Sequence, residues 1–222
     1  MNCVNIDSLP QSERITTLKN EMFEEKRFAS IEQAGIITEA YKANPNLPRN
    51  LKRALALRES LSRISIRITP GELIVGNRTT GVRAGVIFPE SGLSWVDKEL
   101  ETLPDRPQDK FGITREDIEE FRRNILPFWK GQTLEDKLDE AIGSEMAAIG
   151  KVAKINQTDH AQGHICPDTA RWLEFGPAGL KRIAEEHKAA RPENADFYEG
   201  LIIALEGACV FIRRLMFFGD TF

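Results

Sequence analysis

The stretch LIIALEGACVFIRRL, residues 201–215, constrains this chain's fold more than any other. It has helical length and carries apolar side chains on most of its sides, among them Ile202, Ile203, Leu205, Val210 and Phe211. A helix apolar nearly all round is normally buried among other elements. The residues that follow, MFFGDTF, add further apolar surface and nothing to cover it. Two expectations follow: an oligomer partner covers this surface, or the polypeptide is one piece of something larger.

Helical signals dominate the rest. Ser8 and Gln11 fit a capping box, with Pro10 in the first turn, and Ile15, Leu18 and Met22 then mark one face to about Arg27. Ser30 and Gln33 repeat the box ahead of Ile31, Ala34, Ile37 and Tyr41, and NPNLP at 44–48 breaks the run. Strong helix formers fill 49–64, with Leu51, Leu55 and Leu61 directed inward. The texture changes at ISIRITPGELIVGNRTTGVRAGVIFPESG: Ile64, Ile66 and Ile68 alternate, Pro70-Gly71 makes a turn, and the segment predicts short strands. Helices return at SWVDKEL (94–100) and after Thr114-x-x-Asp117, the latter stopped by Pro127. Thr133 caps another helix to about Ile149, a helix broken near Gly176-Pro177 follows residue 168, and the last begins near Asn194. Residues 1–222 are therefore expected to form one mainly α unit with a small β insert.

Composition matters chiefly for what it excludes. Hydrophobic residues make up 41% of the 222, enough to fill a core. A formal net charge of −4 offers no basic excess for a phosphate backbone, so no nucleic acid is expected. No apolar run approaches a membrane span, so no membrane is expected either. Three cysteines without a Cys-x-x-Cys spacing suit a reducing, cytoplasmic setting.

Chemistry concentrates in INQTDHAQGHICPD, residues 155–168. His160 and His164 stand four apart, with Asp159 and Cys166 near, so zinc ligation is one reading. The position after the first histidine is Ala161, not the Glu of a metalloprotease helix, and Gly163 and Pro167 oppose a regular helix there. A second reading is a helix-entry loop whose Asp and Asn side chains satisfy backbone donors. A third is a pocket whose His and Asn hydrogen-bond an organic substrate. Composition leaves all three open.

Other candidates are weaker. Gly81 and Gly85 around Arg83 match neither a dinucleotide fingerprint nor a P-loop, and there is no G-x-S-x-G elbow. Cys209 reads as a core thiol and His187 as a solvated residue. Arg78, Arg83 and Arg106 could bind a carboxylate but suit ion pairs between segments better. Phe128-Trp129 reads as packing.

Taken in order, RALALRESL (53–61), GELIVGNR (71–78), RAGVIFPE (83–90), LPDRPQDKFGIT (103–114), ILPFWKGQTLEDK (125–137), INQTDHAQGH (155–164) and ALEGACVFIRR (204–214) resemble the N-terminal region of the glycyl radical enzymes. The branch is that of the glycerol and diol dehydratases and the pyruvate formate-lyase-like proteins often labelled formate acetyltransferase. The resemblance covers about residues 13–214 and leaves 215–222 as an atypical tail. It implies the helical flank of a ten-stranded β/α barrel, the barrel itself incomplete.

The resemblance also implies a site. Gly163-His164 matches the pair in which a histidine hydrogen-bonds the substrate hydroxyl and assists the departing oxygen. Asn156 matches a second substrate-facing position and favours a small, open-chain polar substrate over a ring. Gln157 and Asp159 would orient the imidazole. No metal is implied. The parent enzyme would carry a glycyl radical installed by an activating enzyme with an iron–sulfur cluster and S-adenosylmethionine, while this chain would bind no cofactor itself.

The sequence also departs from the family. It has no Arg-Val-x-Gly-Tyr-like motif, and none of its cysteines is followed two positions later by Glu: Asn5, Asp168 and Phe211 stand there. The expectation is thus a truncated product or excised domain, inactive alone in the family's lyase, dehydratase or acyltransferase chemistry. The remainder of a split enzyme, or a second copy, would be its partner. A helical interaction module associating with a full-length subunit is the alternative.

Overall fold

A computed structural model describes residues 12–153 and 166–219. The chain opens with α1 (Glu13–Glu24), followed by β1 (Phe28–Ser30), α2 (Glu32–Ala43) and α3 (Arg49–Arg63). β2 (Ala84–Val86), α4 (Ser94–Glu99), α5 (Arg115–Glu120), α6 (Leu126–Trp129), α7 (Leu134–Ala153), α8 (Thr169–Ala190) and α9 (Ala195–Gly219) follow, with short helical turns between some of them. The expectation of a mainly helical chain with a small β insert holds.

The sheet is smaller than the sequence predicted. β1 and β2 pair in parallel, with Phe28 opposite Ala84 and Ser30 opposite Val86. On the other side of β1, the Ala29 N–H donates to the Gly112 carbonyl at 2.8 Å, and the Gly112 N–H to the Arg27 carbonyl at 2.9 Å. The alternating Ile64, Ile66 and Ile68 form no strand. Side chains of α1 and α2 hold that segment instead: Glu32 Oε1 accepts from the Ser65 N–H and hydroxyl at 2.9 and 2.7 Å. Arg67 reaches Glu21 at 2.5 Å and Glu25 at 3.3 Å. Periodicity was present, but backbone partners were claimed by carboxylates.

Helix boundaries follow capping chemistry. The box at Ser8 and Gln11 lies outside the described residues; Ser12 caps α1, accepting from the Ile15 N–H at 3.4 Å. No residue of α1 is buried: along the face of Ile15, Leu18 and Met22, only Leu18 is partly covered. The box before α2 is replaced by a single contact, Glu32 N–H to Ser30 Oγ at 3.4 Å. In α3 the small Ala54, Ala56 and Ser60 are buried, while the leucines expected inward are only partly covered. Thr114 and Thr133 cap as expected, accepting at 3.0 Å from the Asp117 and Asp136 N–H groups.

Pro127 does not stop the α5 helix. A π-helical turn at Phe121–Ile125 intervenes, and the chain continues through Leu126–Trp129 with Pro127 in the first turn of α6. The wider turn shifts the hydrogen-bond register, and the missing N–H of a proline costs little at a helix start. α7 runs past Ile149 to Ala153 with a kink at Gly143 (φ 71°). α8 is broken at Gly176 (φ 60°), before Pro177, where the sequence placed the break.

The core sits where α2, α4 and the 121–129 segment meet the small sheet. Phe121 and Leu100 are fully buried there, beside Val96, Ile125 and Trp129. Burying each such side chain contributes roughly 1.5–3 kcal/mol. α9 packs along α3 and α8, and Gly207 makes the closest approach: a Cβ there would stand 2.8 Å from Arg58 Cα. Arg214 of α9 then caps the end of α3, donating to the Leu61 and Ile64 carbonyls at 2.9 and 2.7 Å. Only part of the apolar surface of α9 is buried; Phe197 is 65% exposed and Phe217 73%.

Candidate functional site

Asn156, Gln157, Asp159, His160 and His164 all lie outside the described residues. What is described is the frame on either side. α7 leads in; on the far side Asp168 caps α8, its carboxylate accepting from the Arg171 N–H at 3.0 Å. Cys166, two residues before Asp168, is exposed and free. Among the described residues no group of three or more His, Cys, Asp or Glu side chains could hold a metal ion.

The remaining sequence candidates have definite places. Arg106 pairs with Glu99 and lies over the Trp95 ring, as an inter-segment ion pair should. Arg78 makes no ion pair among the described residues; it lies over the Phe88 ring, 5.5 Å from the centroid. Arg83 likewise makes none. Cys209 is half-buried, not a core thiol. His187 is not a free surface residue either: it stacks on Tyr198 at 5.7 Å, and Arg191 donates to the Tyr198 hydroxyl at 2.8 Å. Phe128 and Trp129 pack, as expected, with Trp129 2% exposed.

Sequence reasoning missed a cavity. A space of about 480 Å³ opens between the C-terminal end of α2, the first turns of α3 and the Phe88–Ser91 segment. Arg49, Lys52, Arg53 and Arg78 line it, and Glu90 is the one carboxylate among its walls. A neighbouring space of about 510 Å³ shares Arg53, Arg78, Phe88 and Glu90 and is mostly apolar beyond them. The i, i+3, i+4 spacing of Arg49, Lys52 and Arg53 was legible as one helical face. That Arg78 and Glu90 would join it was not, because both come from irregular backbone.

The cavity is firmly framed. Leu134 and Glu135 N–H groups donate to the Glu90 and Ser91 carbonyls, each at 2.9 Å, fixing the Glu90 backbone to the start of α7. Trp129 Nε1 donates to Thr38 Oγ1 at 2.8 Å and so holds the indole in the wall. The Tyr41 ring stands 4.9 Å from that of Trp129. Burial, and next the charge of Glu90, push the Tyr41 phenol above its ordinary pKa, against the pull of Arg53 and Arg49. It is therefore a hydrogen-bond donor at neutral pH. Glu90 Oε2 is buried and has no hydrogen-bond partner among the described residues.

A helical chain with a parallel two-stranded sheet and this order of elements has known counterparts. The Pyruvate formate lyase-like family matches residues 9–217, and the chain belongs to that family. It is 32% identical over 195 residues to the probable dehydratase YbiW of Escherichia coli, covering 85% of this chain and 24% of the relative. It is 27% identical to the (2S)-3-sulfopropanediol dehydratase of Klebsiella oxytoca, covering 90% of this chain and 26% of that one. The glycerol-bound structure of the B12-independent glycerol dehydratase from Clostridium butyricum superimposes with a TM-score of 0.85 at 29% identity, over 93% of this chain and 27% of that one. The resemblance to the N-terminal region of glycyl radical enzymes therefore holds for family and fold. The chain spans about a quarter of the length of the curated relatives it matches.

Proposed function

We propose that this chain forms the helical flank of a glycyl radical dehydratase or lyase and supplies substrate contacts from residues 155–164. The observation that carries the reading is the superposition on the glycerol dehydratase over 93% of the chain. The relatives' names, dehydratases and an isethionate sulfite-lyase, support elimination from a small hydroxylated compound over acyl transfer. His164 would donate a hydrogen bond to the substrate hydroxyl and pass a proton to the departing oxygen. An imidazole, whose ordinary pKa lies near 6.5, is suited to that work at neutral pH. Asn156 would hold a second polar group of the substrate, and Gln157 and Asp159 would keep the imidazole oriented.

The radical-bearing glycine and the thiol that abstracts hydrogen would come from the rest of the enzyme, which an S-adenosylmethionine iron–sulfur activating enzyme would charge. The complete enzyme would be a cytoplasmic dimer, and the chain by itself inactive. The helical flank's share of the chemistry is exclusion: a radical pocket must be closed to water and stray hydrogen donors. The test is a full-length enzyme carrying this region, with His164→Ala. Turnover should fall at least about a hundredfold, the scale of a lost general acid. Near-normal turnover would overturn the assignment.

A further inference from the structure

The cavity beside α3 has features that its role in packing does not require. α3 begins at Pro48 without a side-chain cap and has no acidic residue in its first turn. Helices prefer negative charge there, because their unpaired N–H groups give that end a partial positive charge. α3 instead places Arg49, Lys52 and Arg53 at that end, and the fold brings Arg78 to the same space. Four cations thus share one space with a single carboxylate, Glu90, the Lys52 ammonium also donating to the Pro45 carbonyl at 2.5 Å. The Arg49, Arg53 and Arg78 guanidiniums have no hydrogen bond or ion pair with any described residue. More covered guanidiniums of the fold are engaged, Arg67 with Glu21 and Glu25 and Arg214 with two carbonyls, whereas Arg49, Arg53 and Arg78 are exposed to solvent at the rim of this space.

Exposed like charges at a helix start repel one another only weakly in water. Their grouping becomes favourable when an anion enters. Guanidinium forks match carboxylates in two-point contacts, and a volume of about 480 Å³ is ligand-sized. Two further groups define the anion. Glu90 has acceptor capacity to spare, since its Oε2 is unpartnered. The Tyr41 hydroxyl also lacks a described partner and borders the same space.

We propose that the cavity between α2, α3 and Phe88–Ser91 binds a small organic dianion bearing a hydroxyl group. Arg53 and Arg78 engage its charged ends, Arg49 and Lys52 add attraction at the helix start, and Glu90 accepts from the hydroxyl. The site stands on residues 41–134 and does not depend on the substrate proposed above.

Calorimetric titration of the 222-residue chain with malate, succinate and glycerol tests this. Malate should bind at least tenfold more tightly than succinate, which lacks the hydroxyl, and glycerol should give no binding. The double variant Arg53→Gln/Arg78→Gln, with unchanged helical circular dichroism, should weaken malate at least tenfold. Should that variant not fold, the wild-type chain still decides: malate affinity must fall steeply between low salt and about 0.3 M, where exposed charges are screened. Absence of malate binding, equal affinity for succinate, indifference to the double substitution, or indifference to salt would each overturn the proposal.

Discussion

Thr38 and Trp129, 91 residues apart in sequence, share a buried hydrogen bond: the indole Nε1 donates to Thr38 Oγ1 at 2.8 Å. The same hydroxyl donates back to the Ala34 carbonyl at 2.6 Å, and both side chains are 2% exposed. Thr38→Val preserves shape and leaves the indole N–H without an acceptor. A buried orphan donor costs about 1–3 kcal/mol. Thermal or denaturant unfolding should show that loss, and an unchanged midpoint would mean that the indole finds another partner.

Gly207 and Arg58 set how closely α9 can approach α3. A methyl on Gly207 meets backbone at 2.8 Å, which no side-chain adjustment relieves. Gly200, on the same helix, would place its methyl at ordinary contact, 3.7 Å from Leu51 Cδ2. Gly207→Ala is expected to destabilise by about 1–3 kcal/mol. Gly200→Ala should be neutral or stabilising, since alanine is the better helix former. Matched unfolding curves of the two variants check the order.

Arg214 closes the other end of the same pair by holding the Leu61 and Ile64 carbonyls. Hydrogen bonds from a charged donor are worth about 1.5–3 kcal/mol each at most sites. Arg214→Met keeps the aliphatic stem and loses both, so the C-terminal turn of α3 should fray. Hydrogen exchange at Ile64, whose N–H bonds Ser60 at 2.9 Å, should speed up in that variant.

Asp136 makes the cap of α7 sensitive to acid. Burial opposes its charge, but the Thr133 hydroxyl and the Thr133 and Gly131 N–H groups outweigh that and hold its carboxyl below the usual pKa. A carboxyl depressed in the folded state adds stability that is full above its unfolded pKa, near 3.9, and is lost as pH falls through the folded value. The stability gap between the wild type and Asp136→Asn should therefore be constant at neutral pH and close below about pH 4. A gap independent of pH would assign the effect to packing alone. Thr133→Ala, which removes both the cap acceptor and a donor to the Asp136 carboxylate, should cost about 1 kcal/mol or more at neutral pH and less below about pH 4, where Asp136 is protonated.

Exposed apolar side chains should make the isolated chain associate. Leu73 and Ile74 are 79% and 91% exposed, Leu173 is 82% and Phe217 73%. Such surface normally marks contact with another polypeptide. Light scattering should show mass rising with concentration, and a monomer at high concentration would count against a missing partner surface.

Local patterns were legible where the deciding physics is local. The caps at Thr114 and Thr133, the break at Gly176-Pro177 and the inward face of Ile31, Ala34 and Ile37 each follow from residues within one or two turns. The ordered motifs from Arg53 to Arg214 carried the family as well, because a family is a property of sequence.

Tertiary structure decided what depends on distant partners. Glu32 and Glu25 claimed the 64–82 segment, so alternating isoleucines made no strand. A π-helical turn let Pro127 continue a helix, and packing buried the small Ala54, Ala56 and Ser60 of α3 more deeply than its leucines. The cavity belongs to this second kind. Its helical cations could be read from spacing, but Arg78 and Glu90 reach it along irregular backbone, where no periodicity foretells which direction a side chain takes.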